Sequence, residues 1–303
     1  MLNGYEPPWR TYVIAEAGSC GDGHLDQMLR LITAAAAAKV DAVKFQWTSN
    51  AEKMARRRGR AVEDGYDIIY ERYLAWSPEW HECLRDHCQS EGVEYWCTVY
   101  LPEDVEVVDP YVAGFKIASF EAGDGAFLAQ HGRCKKDTRP ILISTGMMND
   151  EDLLALYDVC AGAWPKMTPG GGVVGIDERA SLMHCVSSYP APTAALHLAA
   201  MTWLYCTGGD RVGMALGGFS DHSAPSDTWT GALAVMAGAR FVEAHVRSEE
   251  TEGVNPDRSH AMLPHELRDY TQHIRFAETA LGAGAPKGVQ PCEREMLPYR
   301  VRL

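Results

Sequence analysis

Two stretches in the second half of the chain decide how it reads: Gly217-Gly-Phe-Ser-Asp-His222 and Phe241-Val-Glu-Ala-His245. Between them lies Trp229-Thr-Gly-Ala-Leu-Ala-Val-Met-Ala-Gly238, a helix-like segment. Each stretch is a short apolar run that ends in a histidine with polar company. The order is therefore strand, histidine, helix, strand, histidine. In a parallel α/β fold this sets both imidazoles at the carboxyl ends of neighbouring strands, where such folds bind ligands. Two neutral imidazoles converging there can hold a divalent metal with coordination positions left open. The competing reading is two unrelated surface histidines, and the rest of the chain has to arbitrate.

Working outward, the same beat recurs. Tyr12-Val-Ile-Ala-Glu-Ala17 is an apolar run ending in a carboxylate, and Asp41-Ala-Val-Lys-Phe-Gln46 is the next. A helix over Leu25 to Lys39 joins them, with Leu25, Met28, Leu29 and Ile32 at helical spacing. Such short connections imply parallel strands and a right-handed crossover. Residues 48–76 form a long insertion with mixed helix signals. Ser77-Pro78 then reads as an N-cap and a proline at the first helical position, opening a helix to Ser90. Strands follow over Val93–Thr98, Gly114–Ser119, Pro140–Thr145 and Ala180–Cys185. Helices are expected over Glu103–Val108, over Gly125–His131 and, capped by Asn149, up to Gly162. The Gly170-Gly-Gly172 loop precedes the sixth strand, Thr193–Cys206 supplies the sixth helix, and Pro264–Leu281 the last.

Eight strand–helix repeats in roughly 285 residues fit a single (β/α)8 TIM barrel over residues 1–285. Residues 286–303, with Arg294, Arg300 and Arg302, read as a C-terminal tail or linker and not as a second domain. A doubly wound open sheet is the alternative, but the glycine-rich turn after the first strand lacks the spacing of a dinucleotide fingerprint.

Composition narrows the function. The formal net charge of the 303 residues is -13, which offers no positive field for nucleic acid or an anionic membrane. The one basic run, Arg56-Arg-Arg-Gly-Arg60, reads as a solvated loop. The nine cysteines are odd in number and scattered, without a CxxC pair. They predict reduced thiols, not a disulfide scaffold or zinc ribbon. No signal peptide or apolar run of membrane-spanning length is evident. The expectation is a soluble cytoplasmic protein.

In a barrel, functional residues should gather at the strand ends. These positions hold Glu16, Lys44 and Gln46, Thr98, Lys116 and Ser119, Ser144 and Thr145, His184, Ser187 and Tyr189, Ser220 and His222, then Glu243 and His245. Lys44 and Lys116 are each embedded in an apolar run. Buried in the mouth they need anionic partners, because an unpaired buried charge is expensive. With Ser119 and Ser144 they can form a phosphate cradle. Alternatively they pair with barrel carboxylates such as Glu16.

Several of these segments recur together, in order: Ile14-Ala-Glu-Ala-Gly18, Asp41-Ala-Val-Lys-Phe-Gln46, Phe115-Lys-Ile-Ala-Ser119, Ser144-Thr-Gly-Met147, His184-Cys-Val-Ser-Ser-Tyr-Pro-Ala-Pro192, Phe219-Ser-Asp-His222, Glu243-Ala-His245 and Asn255-Pro-Asp257. With them the chain resembles the catalytic barrel of the sialic acid synthases, the N-acetylneuraminate synthase family, over residues 12–303. The resemblance implies condensation of phosphoenolpyruvate with the open-chain aldehyde of a sugar, usually an N-acetylated hexosamine. The products would be a 2-keto-3-deoxy sugar acid and phosphate. It implies a divalent metal, Mn2+ or Mg2+, on His222 and His245. It further implies phosphoenolpyruvate binding by Lys44, Lys116, Thr98, Ser119, Ser144 and Ser220. Acceptor contacts would come from Gln46, Ser187, Tyr189 and Asp257, with Glu16 near the reacting centre. A carboxylate such as Glu16, or a metal-bound water, would deliver water to the enol carbon.

The chain departs from the family pattern in three places. Ser19-Cys-Gly21 replaces the usual Asn-His, and Ser187 replaces the usual Asn. No antifreeze-like domain follows Leu303, so its acceptor-site arginine is not in this sequence. These departures put the acceptor side in doubt and leave a homodimer, or an antifreeze-like domain on a separate chain, as expected partners. Two other functions stay open: condensation with a phosphorylated sugar, held by Arg56–Arg60 or Arg72, and a catalytically silent barrel that binds a sugar or a partner.

Overall fold

The computed structural model describes residues 10–59, 65–133, 139–167, 173–176, 179–201, 215–282 and 288–301. Its first five strands are β1 (Tyr12–Gly18), β2 (Ala42–Trp47), β3 (Glu94–Val99), β4 (Gly114–Ile117) and β5 (Ile141–Ser144). After them come β6 (Pro165–Met167), β7 (Val173–Ile176), β8 (Ala180–Cys185), β9 (Ala215–Asp221) and β10 (Phe241–His245). Eight of these close into a parallel barrel in the order β1-β10-β9-β8-β5-β4-β3-β2, while β6 and β7 pair antiparallel as a separate hairpin. The TIM barrel expected from the strand–helix repeat is therefore the fold. The hairpin was not foreseen; the glycine loop expected ahead of the sixth strand, Gly170–Gly172, lies outside the described residues.

Strand alternation builds the barrel interior in layers, because successive side chains point to opposite faces. Ile14, Ala42, Trp96, Leu142 and Met183 form a buried apolar floor. Two residues further along the same strands stand Glu16, Lys44, Thr98 and Ser144, all buried. The chain thus changes from apolar to polar within one step of the strand period, and that step is where the floor ends and the mouth begins. The other face of each strand packs under the helices, as Val13, Val43, Phe45, Cys97 and Phe115 do in the main core.

The helices follow their local signals. Helix α1 (Leu25–Ala37) buries Met28, Leu31, Ile32 and Ala35 along one face. The insertion contains two helices, α2 (Ala51–Arg57) and α3 (Tyr66–Leu74). The Asn50 side chain caps the first by accepting from Lys53 N at 2.8 Å. Helix α4 runs Trp80–Ser90, so Ser77-Pro78 lies in the preceding turn and does not cap it. Helices α5 (Pro102–Val108) and α6 (Gly125–Gly132) match expectation. Helix α7 (Asp150–Ala163) carries the Asn149 cap as a full capping box with Asp152. Of the expected helix over Thr193–Cys206, a 3-10 turn at Thr193–Ala195 is described and residues 202–206 lie outside the described residues. Helices α8 (Thr230–Met236) and α9 (Pro264–Leu281) complete the barrel. The tail carries an exposed nine-residue 3-10 helix, Pro291–Tyr299. Among the described residues no helix is long and apolar enough to cross a membrane.

Candidate active site

The strand ends open into a cavity of about 720 Å³, lined among others by Glu16, Lys44, Lys116, Ser144, His222 and His245. One side of it is a ring of buried charge. Strand register sets Lys44 beside Glu16 and Glu243 beside Ser220. Lys44 Nζ lies 2.5 Å from Glu16 Oε2 and 3.5 Å from Glu243 Oε2, and donates to Thr98 Oγ1 at 3.0 Å. Lys116 Nζ donates to Glu243 Oε1 at 2.6 Å and to Ser220 Oγ at 3.0 Å. The Ser220 hydroxyl in turn donates to Glu243 Oε1 at 2.9 Å. Two lysines and two carboxylates thus compensate one another, as burial requires.

The two carboxylates are not equivalent. Burial pushes Glu16 up to about 7, helped by the nearby charge of Glu243 and only partly opposed by Lys44. Burial also acts to raise Glu243, but Lys116 and Lys44 together hold it down near 2. One carboxylate therefore stays ionised while the other sits near neutrality, an arrangement suited to moving a proton.

Beside the lysines, Ser119 Oγ accepts from Gly146 N at 3.0 Å. The buried Ser144 hydroxyl has no hydrogen-bond partner among the described residues. A Cβ at position 146 would stand 2.3 Å from Ser187 Oγ, 2.8 Å from Ser119 Oγ and 2.9 Å from Cys185 Sγ. Only glycine admits this convergence of small polar side chains. Ser187 thereby stands on the Ser119 side of the mouth and is not among the side chains lining the cavity.

The opposite side is built from imidazoles. His222 Nδ1 donates to the Val186 carbonyl at 2.8 Å, which fixes the tautomer and leaves Nε2 as the lone-pair nitrogen, 3.3 Å from Ser220 Oγ. His245 and His260 stand with ring centroids 4.3 Å apart, and His222 lies 5.5 Å from His245 and 5.9 Å from His260. Asp257 faces both: its Oδ2 is 3.9 Å from His245 Nδ1 and its Oδ1 is 4.0 Å from His260 Nε2. His245 Nδ1 and both nitrogens of His260 are buried without a hydrogen-bond partner among the described residues. Burial drives all three histidines below the ordinary imidazole value, His222 to about 4, with Lys116 adding to the effect there. Neutral, unpartnered imidazoles beside a carboxylate fit a divalent metal, because such nitrogens gain their missing partner by coordination. The Tyr189 ring covers them, 4.5 Å from His222 and 4.9 Å from His260.

Two hydrogen bonds hold Asp257 in place, from Ser19 N at 2.9 Å and Ser19 Oγ at 2.8 Å. Gly18, at φ 50°, makes room for this: a Cβ there would lie 2.5 Å from Asp257 Oδ2 and 3.1 Å from Glu16 Oε1.

The family model described as the NeuB family matches residues 31–286. The chain belongs to the NeuB family. Among curated relatives it is 30% identical to N,N'-diacetyllegionaminic acid synthase of Legionella pneumophila, an alignment spanning 99% of this chain and 81% of that protein. It is 31% identical to the spore coat polysaccharide biosynthesis protein SpsE of Bacillus subtilis, over 92% of this chain and 70% of that protein. Among solved structures, the N-acetylneuraminic acid synthetase of Leptospira borgpetersenii in complex with citrate superposes with a TM-score of 0.78 at 23% identity. That match covers 96% of this chain and 91% of the other and supports the barrel fold.

Most of the residues expected from sequence meet in this NeuB-family cavity, but some do not. Gln46 lines it, donating to Glu16 Oε1 at 2.7 Å and accepting from Tyr100 OH. His184 turns away, its Nε2 donating to the Leu196 carbonyl at 2.7 Å, because alternate residues of β8 face outward. Cys20, expected to mark a changed acceptor side, is fully buried against Asn255 and does not line the cavity. Two groups were missed. Glu243 stood at a strand end with no role, yet it holds both lysines. His260 was not singled out at all. A further wall, Arg58, Tyr70 and Phe120, comes partly from the insertion and from the loop after β4. Arg58 is bound bidentately to Glu121, with Nε to Oε1 at 2.7 Å and Nη2 to Oε2 at 3.2 Å.

Proposed function

We propose that this chain condenses phosphoenolpyruvate with the open-chain aldehyde of a sugar, giving a 2-keto-3-deoxy sugar acid and phosphate, with a divalent ion on the imidazole side of the mouth. The observation that carries the reading is the pairing of opposites within one cavity: two buried lysines with hydroxyls on one side, and buried imidazole nitrogens without partners on the other. Lys44 and Lys116 receive the phosphate and carboxylate of phosphoenolpyruvate, assisted by Thr98, Ser119, Ser144 and Ser220. The ion, on His222 and His245, would supply stabilisation for the negative charge that develops on the aldehyde oxygen.

The remaining steps belong to the chain's own side chains. As an anion draws Lys44 away, Glu16 loses its counter-charge in a dry site, and its hold on a proton tightens. The enol carbon attacks the aldehyde carbon, a C–C bond forms, and the aldehyde oxygen takes up the proton that Glu16 held, leaving Glu16 a carboxylate. Water then adds at the carbon bearing the phosphate, giving its proton to Glu16. Cleavage of the bond between that carbon and the bridging phosphate oxygen, with the new hydroxyl's proton passing to the departing phosphate, releases phosphate and leaves the keto group. Gln46, Tyr189 and Asp257 orient the acceptor. With phosphoenolpyruvate as its substrate, the enzyme would work in the cytoplasm.

A neutral acceptor matches this site better than a phosphorylated one. Among the described residues, Arg57, Arg58 and Arg72 are each bonded to a carboxylate, Asp124, Glu121 and Glu252; Arg60 lies outside the described residues. A silent barrel would have no use for a carboxylate held near neutrality beside a paired lysine. The test is to incubate the protein with Mn2+, phosphoenolpyruvate and a panel of neutral and phosphorylated aldoses, and to follow phosphate together with product mass. Phosphate that tracks a neutral N-acetylated aldose, with a keto acid of the summed mass less phosphate, supports the proposal. Turnover confined to phosphorylated aldoses, or to none, contradicts it.

A further inference from the structure

We infer that His260 and Asp257 join His245 as ligands of the ion, giving a site with a third imidazole that selects imidazole-preferring transition metals over Mg2+. One ligand atom each from His245, Asp257 and His260 lie within 4.8 Å of one another. A metal–nitrogen or metal–oxygen bond is about 2 Å, so two ligands of one ion stand at most about 4 Å apart. The 3.9 Å and 4.0 Å separations from Asp257 to its two histidines meet that limit. A small inward movement brings in the third edge.

The unsatisfied atoms point the same way. His260 is 2% exposed, yet neither of its ring nitrogens has a hydrogen-bond partner among the described residues. A buried polar group without a partner costs free energy. Its closest rings, His245, Tyr189 and His222, stand beside it without bonding to those nitrogens. Asp257 is anchored from behind by Ser19 through Oδ2 alone, which leaves Oδ1 toward His260. Its loop is fixed by Asn255, whose amide donates to the Ser19 carbonyl at 2.9 Å and to Asp22 Oδ1 at 2.7 Å. The carboxylate is therefore positioned before any ion binds.

Ligand type then sets the metal. Mg2+ prefers an oxygen shell and retains its waters, whereas Co2+, Zn2+, Fe2+ and Ni2+ favour imidazole nitrogen. Three histidines and one carboxylate form a nitrogen-rich set. The inference rests on the reading above for what the ion does in the reaction. Its test uses no substrate, so failure of one can be told from failure of the other.

The experiment is direct titration of metal-freed protein with Co2+, reading visible d–d absorption, and with Mg2+ in competition. Wild type should bind Co2+ at least about 100-fold more tightly than Mg2+. His260→Ala should weaken Co2+ by on the order of 10–100-fold, as loss of a metal-site group does, and change the Co2+ spectrum. An unchanged Co2+ affinity and spectrum in a folded His260→Ala protein would overturn the inference, as would equal wild-type affinities for the two ions. If that variant fails to fold, an anomalous-scattering map of Co2+-loaded wild type decides. Density bonded to a His260 nitrogen and Asp257 supports the assignment, and density bonded to His222 and His245 alone refutes it.

Discussion

The two sides of the barrel mouth treat buried polarity in opposite ways. On the lysine side every charge has an answering charge: Lys44 with Glu16 and Glu243, Lys116 with Glu243 and Ser220. On the imidazole side His245 Nδ1 and both nitrogens of His260 are buried without a hydrogen-bond partner among the described residues, and burial keeps these rings neutral. The first side is compensated by its own charges, so an anion would bind there by exchanging partners with the lysines. The second offers neutral imidazole nitrogens, the donor type a divalent ion takes up. The difference teaches that, under the proposed function, a charged substrate and an ion would be accommodated by different means within one cavity.

Removing a charge from the satisfied side should do the greatest damage. Lys116→Met leaves Glu243 buried with only the more distant Lys44, and the loss should be about 3–5 kcal/mol in denaturant unfolding. Adding Glu243→Leu to that variant should recover much of the stability while activity stays absent. A single variant as stable as wild type would break the comparison. Next in size is Gly18→Ala, where a side chain at positive φ would also press on Asp257 Oδ2. The expected cost is about 1–3 kcal/mol in thermal or denaturant unfolding, with weakened ion binding beside it.

The pH dependence sharpens the contrast between the two carboxylates. Between pH 4.5 and about 7 the folded protein keeps a proton on Glu16 that the unfolded chain has released, so this group makes stability fall as pH rises through that window. Glu243 works in reverse: its contribution is present above pH 4.5 and is lost as pH falls toward 2. Glu16→Gln should therefore flatten the stability profile between pH 4.5 and 7, measured by urea unfolding at a series of pH values; an unaltered slope would contradict the upward shift. The smallest effect belongs to the unsatisfied side. In metal-freed protein His260→Leu removes two partnerless nitrogens and should change stability by less than about 1 kcal/mol in either direction. A larger loss would mean that the apo protein already uses that ring.

Much of this molecule was legible from its sequence because the barrel repeats a local rule. Short apolar runs and short connections located the eight barrel strands to within a residue or two, and helix α9 was bounded correctly from Pro264 to Leu281. Asn149 announced its helix, since a cap acts on residues beside it. What escaped depends on contacts made only by closure. Glu243 meets Lys44 and Lys116 because β10 pairs with both β1 and β9, a fact no local pattern carries. His260 follows the barrel's last strand in a loop and reaches the mouth through the Asn255 and Ser19 hydrogen bonds. Its only local signal was a histidine three residues beyond Asp257. Cys20 shows the converse: it stands beside the mouth in sequence, yet it is fully buried against Asn255 and does not line the cavity.

The account stands on the two sides acting together on one pair of substrates. The direct measurement is phosphate release from phosphoenolpyruvate in four mixtures, with and without a divalent ion and with and without a neutral N-acetylated aldose, the product weighed by mass spectrometry. The account predicts phosphate and a new 2-keto acid only when both are present. Phosphate released without the aldose, or turnover undiminished after the ion is removed, would contradict it.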